Sequence, residues 1–107
     1  MVTIKASTDH EAMKVRLEVS GHAGQAEPGK DIVCSAVSIL TYTLAHNIKD
    51  IVPTSSIDMN HGDAIIEAEC KDMRSLVKAL NALRVITKGY KLLQRQYPEY
   101  VNFIDEA

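Results

Sequence analysis

Two residues with the right chemistry for nucleophilic catalysis flank one short polar segment. His22 lies in Gly21-His22-Ala23-Gly24, directly after a run in which apolar and polar residues alternate. Cys34 lies in Asp31-Ile32-Val33-Cys34-Ser35-Ala36, just inside an apolar run with helical spacing. A thiol in the first turn of a helix feels the positive end of the macrodipole and the backbone N–H groups that have no intrahelical partner, and both favour thiolate. A histidine close enough to take the thiol proton completes a nucleophile–base pair. The same N–H groups, with that of Ser35 added, are expected to hold the oxyanion formed by attack on a carbonyl. Residue by residue the bland alternative stands. A cysteine in an apolar helix is most often a small buried hydrophobe, and a histidine at a strand end is most often a surface or capping group.

Neighbouring residues have narrower roles. Asp31 is read as the helix N-cap, because a carboxylate beside Cys34 as a third catalytic member would oppose thiolate formation. Ser38, one turn beyond Cys34 on the same face, hydrogen-bonds either within the site or back to its own helix, the second being the commoner arrangement. Gly21, Gly24 and Gly29 give the intervening loop freedom to move as a lid. Gly24 to Lys30 also fits the front of a phosphate-binding loop, but Asp31 stands where Ser or Thr must hold magnesium, and Glu27 adds negative charge to the cradle. That match is discarded. No close Cys/His spacing suggests a metal, and no cofactor is expected. Cys70, between a strand and the Asp72 cap, is read as a structural thiol. His10 and His61 read as turn residues, and His46 as a helix-surface residue.

The elements that must position His22 and Cys34 follow from periodicity. Val2, Ile4 and Ala6 alternate with polar residues, as do Met13, Val15, Leu17 and Val19 after the polar turn from Thr8 to Glu11. This is a hairpin with one wet face. Asp31 caps a helix carrying Val33, Val37, Leu40, Leu44, Ile48 and Ile51, which Pro53 closes. Ser56 to Met59 and Ala64 to Glu69 flank a turn containing Gly62. Asp72 then caps a second helix with an expected inner face of Met73, Leu76, Val77, Leu80, Leu83, Thr87 and Tyr90. Tyr100 to Ile104 is a short last strand or a docked extension. The expected fold is α+β: a two-layer sandwich in ββαββα order, its mainly antiparallel sheet covered by two long helices.

Composition excludes several classes. The chain has 107 residues, 46% hydrophobic and 24% charged, with a formal net charge of −2. That is the size of a single domain and lacks the basic excess of a nucleic-acid-binding face. The apolar stretch from Ile32 to Leu44 is too short and too interrupted to span a membrane. With no signal peptide and only two cysteines, a cytoplasmic location is expected.

The segment Gly21-His22-Ala23, the loop, and Asp31 through Ser38 together resemble the signature of the ribosomal-processing cysteine proteases, the Prp family. The likeness runs over nearly the whole chain. It implies an endopeptidase that removes the short N-terminal extension of a large-subunit ribosomal protein, with His22 and Cys34 catalytic, in a small homodimer. The competing reading is a non-catalytic ribosome-assembly adaptor that binds the same peptide without cutting it.

Overall fold

The computed structural model describes residues 1–21, 31–60 and 63–107. Strands β1 (Val2–Asp9) and β2 (Lys14–Ser20) are followed by helix α1 (Ile32–Ile51), strands β3 (Ser56–Asn60) and β4 (Asp63–Glu69), helix α2 (Met73–Gln96) and strand β5 (Val101–Glu106). The five strands form one sheet in the order β3-β4-β2-β1-β5. All neighbours are antiparallel except β1 and β5, which run parallel with Val2 opposite Val101. The α+β class and the ββαββα order hold, and the apolar tail is a fifth strand.

The first hairpin turns later than its sequence pattern suggests. Asp9 still pairs, opposite Lys14, so residues 10–13 make the turn. Met13, expected in the second strand, instead has φ of 55° in the left-handed region. Its side chain stays half-buried against the core, which preserves the appearance of alternation. Its carbonyl accepts the Cys70 N–H at 2.8 Å and so ties the turn to the end of β4.

Alternation then does what it must. Val2, Ile4 and Ala6 of β1, Val15, Leu17 and Val19 of β2, and Ala64, Ile66 and Ala68 of β4 are buried under the helices. The opposite face carries Lys5, Lys14, Arg16, Glu18 and Glu67, with Arg16 bridging Glu18 and Glu67. Exposed pairs of this kind contribute little stability but mark the wet side.

Both helices begin where the sequence places a cap. The Asp72 side chain accepts the Ser75 N–H at 2.8 Å, and this bond holds its carboxyl below the usual carboxylate range. At the end of α1 the Val52 N–H bonds Ile48 O at 2.7 Å, immediately before Pro53. The inner face of α2 is rotated from the expected one. Leu76, Ala79, Leu83, Ile86, Thr87, Tyr90 and Leu93 are buried, whereas Met73 and Val77 face outward. The two helices touch closely where Gly89 meets Leu40, since a Cβ on Gly89 would lie 2.7 Å from the Leu40 Cδ2. Tyr90, fully buried, stacks on Phe103 of β5 with ring centroids 5.9 Å apart and hydrogen-bonds Thr41 of α1 at 2.7 Å. One side chain thus joins three elements.

Candidate active site

Cys34 is the third residue of α1, half-buried at the open end of the helix. Two bonds set its surroundings. The buried Asp31 carboxylate accepts the Cys34 N–H at 3.0 Å, and the Asp31 carbonyl accepts the Ser35 N–H at 3.1 Å. Asp31 is therefore the N-cap, as its type and place predict. The same bonds correct one expectation. The N–H groups of Cys34 and Ser35 are already engaged by Asp31, so neither is a spare donor for an oxyanion; what these positions feel is the field of the helix. Ser35 itself is exposed. Ser38, also exposed, is one turn further along. It lines a small cleft of about 80 Å³ with Thr41, Tyr42, Val19, Met59, Asn60 and Asp63.

On the strand side, Gly21 follows the last residue of β2. Its φ is +84°, a conformation that glycine adopts without strain. A Cβ there would lie 2.6 Å from the Met1 carbonyl oxygen, so the end of β2 presses against the start of the chain. The Gly21 N–H is donated to Asp63 Oδ1 at 3.1 Å. His22 and the loop from Ala23 to Lys30, including the phosphate-loop match, lie outside the described residues, as do His61 and Gly62. Gly21 and Asp31 are thus the described residues on either side of the loop that carries His22.

Asp63 is the residue that sequence reasoning missed. As a polar residue after a glycine it reads only as turn chemistry, and its partner Gly21 is distant in sequence. No local pattern links the two.

The other thiol behaves differently. Cys70 is 5% exposed, and burial with the nearby Asp72 charge pushes its pKa up. That suits an unreactive side chain. Neither cysteine is disulfide-bonded. Among the described residues no group of His, Cys, Asp and Glu is arranged to hold a metal ion, and no helix is long and apolar enough to cross a membrane.

Comparison with known proteins decides the family. The family model described as cysteine protease Prp matches residues 1–102. The chain belongs to the Prp family of cysteine proteases. The ribosomal processing cysteine protease Prp of Mycoplasma pneumoniae is 28% identical over 103 residues, covering 96% of this chain and 95% of that protein. Among solved structures, a Streptococcus mutans protein superposes with a TM-score of 0.77 at 26% identity, over 99% of this chain and 94% of the other. The Staphylococcus aureus ribosomal processing protease Prp, crystallised with a covalently linked product peptide, gives the same TM-score at 21% identity over 99% and 100% of the two chains. The Staphylococcus aureus likeness carries the fold, which is the Prp-family α+β arrangement of a mixed sheet and two helices. Of the two cysteines, Cys34 is partly exposed at a helix start, whereas Cys70 is buried.

Proposed function

We propose that this protease removes the N-terminal extension of a large-subunit ribosomal protein, with Cys34 as nucleophile and His22 as general base and acid. The observation that carries the reading is the half-buried Cys34 in the first turn of α1. The names of the Mycoplasma and Staphylococcus relatives support ribosomal processing, and the product peptide held covalently by the Staphylococcus protein supports acyl-enzyme chemistry.

Cys34 Sγ gives its proton to His22 and attacks the scissile carbonyl carbon. His22 returns the proton to the amide nitrogen as the C–N bond breaks, leaving the N-terminal fragment as a thioester on Cys34. Water, deprotonated by His22, releases the acid and restores the thiol. The Asp31 cap fixes the backbone beneath Cys34, and the dipole of α1 favours the thiolate. The 107 residues act as one protease domain, in a cytoplasmic homodimer without a cofactor.

Mass spectrometry of the extended ribosomal protein after incubation with the protease is the test. One cut that separates the extension is expected, and it disappears in Cys34→Ala and His22→Ala. Cleavage persisting in Cys34→Ala rules out the nucleophile. Binding without cleavage by the wild type returns the reading to an adaptor.

A further inference from the structure

The formal net charge of −2, which argues against a nucleic-acid-binding face when taken over the whole chain, conceals a division of charge. Helix α2 holds six of the twelve lysines and arginines and none of the fourteen aspartates and glutamates. The helix thus carries +6 and the rest of the chain −8. Its cations, Arg74, Lys78, Arg84, Lys88, Lys91 and Arg95, are all exposed. Among the described residues Lys91 alone of the six has an ion-pair partner, Asp105 of β5 at 3.1 Å. We propose that this face of α2 binds RNA through its phosphate backbone; the choice of RNA over DNA rests on the ribosomal substrate proposed above.

The ordinary reasons for charge on a helix surface do not account for this one. A solvated helix gains from opposite charges four residues apart. Here Arg74 with Lys78, Arg84 with Lys88, and Lys91 with Arg95 are like-charged at that spacing, which destabilises the helix. The helix dipole favours Lys91 and Arg95 in the C-terminal turns but opposes Arg74, in a first turn that has no acidic residue. These charges weaken the free helix, and a bound polyanion relieves their repulsion.

The arrangement suits a nucleic-acid strand. Arg84, Lys88, Lys91 and Arg95 follow the i, i+4, i+7, i+11 spacing of one stripe, about 16 Å long. That length covers roughly five phosphate steps of one strand. Arg84, Lys88 and Lys91 also line a cleft of about 360 Å³ with His10. The exposed Val85 and Leu92 lie off the stripe, Val85 in a cleft shared with α1. A protein partner calls for an apolar centre to its interface, and a membrane for an apolar helix face; the apolar face of α2 is buried in the core. Leu40 meets Gly89 while Ile51 shares a cleft with Lys78, so α1 and α2 are antiparallel. The stripe therefore lies toward the end of the molecule where α1 begins, with Cys34 in its first turn.

Fluorescence anisotropy of a labelled RNA hairpin, titrated with the full chain at several salt concentrations, is the experiment. Wild type is expected to bind more weakly as salt rises. Arg84→Gln/Lys88→Gln is expected to bind about tenfold more weakly at low salt, with a log–log salt dependence shallower by about 1.5–2. Lys5→Gln/Lys14→Gln removes the same charge from the wet face of the sheet and is expected to stay within about twofold of wild type. Circular dichroism is expected to show both variants folded, since all four side chains lie outside the core. No binding by wild type at low salt overturns the proposal, as does equal weakening by the two variants, which makes net charge alone the cause. Tighter binding of a DNA hairpin of the same length, of polyglutamate or of phosphatidylglycerol vesicles also overturns it. Binding is read without cleavage, and Cys34→Ala is expected to bind RNA as wild type does, so a failure of the site assignment shows separately in the cleavage assay.

Discussion

Replacing Tyr90 by phenylalanine is expected to destabilise the protein near neutral pH and to stabilise it in strong alkali. Thr41 Oγ1 donates its only proton to Val37 O at 2.7 Å, so the 2.7 Å bond between Thr41 and Tyr90 must be donated by the Tyr90 hydroxyl. Removing that hydroxyl loses one buried hydrogen bond but strands no donor, at a cost of about 1 kcal/mol. Burial also pushes the Tyr90 pKa up from 10.0 to about 12. The folded protein therefore keeps a proton that the unfolded chain loses. Its contribution is complete below about pH 10 and disappears as pH rises through about 12, amounting to about 3 kcal/mol over the whole interval. At about pH 11 roughly 1.4 kcal/mol is already gone, slightly more than the hydrogen bond supplied, so the wild-type and Tyr90→Phe stabilities cross near there. Urea unfolding followed by circular dichroism, for both proteins from about pH 8 to about pH 11.5, measures the difference directly, since the other titrating groups are common to both. A difference that stays constant with pH, or that grows in favour of wild type, refutes the reasoning. The result bears on the site because Tyr90 fixes α2 against the helix that carries Cys34.

Other expectations are simpler. Gly21→Ala forces a Cβ against the Met1 carbonyl at a left-handed position, so it is expected to cost about 1–3 kcal/mol in urea unfolding and to lower cleavage with it. Asp31→Ala removes the cap of α1 and is expected to cost about 1 kcal/mol, whereas Asp31→Asn, which keeps the acceptor, is expected to lose only a few tenths; thermal melts of the two variants separate the outcomes. Iodoacetamide, followed by peptide mass mapping, is expected to label Cys34 well before Cys70, which is buried and has a raised pKa; equal rates would count against an activated Cys34.

What the sequence displayed well were features whose cause is local. Asp31 and Asp72 announce their helices because a carboxylate before an apolar periodic run satisfies the N–H groups of the first turn, and Pro53 marks the end of α1 for the converse reason. The wet and dry faces of β1 and β2 follow from alternation alone. The face of α2 was less legible, since Val77 and Val85 are as apolar as the buried Leu83 and Ile86, and only the position of α1 decides which side is covered. The engaged Ser35 N–H is implied by the cap itself, because the residue four places after the N-cap donates its N–H to the cap's carbonyl. The parallel pairing of β5 and the bond from Gly21 to Asp63 have no local signal: both join residues that meet only after the sheet has formed.

Pairing Val2 with Val101 also orders events in time. The hairpins β1–β2 and β3–β4 close over short turns, whereas bringing β5 to β1 closes a loop of nearly the whole chain, at an entropic cost about 2–3 kcal/mol greater. Strand β5 is therefore expected to dock late, onto a β1 already held by β2, with the stacking of Phe103 on Tyr90 forming after the rate-limiting step. In stopped-flow measurements Phe103→Ala is expected to accelerate unfolding and to leave refolding nearly unchanged. On that expectation, the strand that completes the sheet governs how long the protein stays folded, not how quickly it gets there.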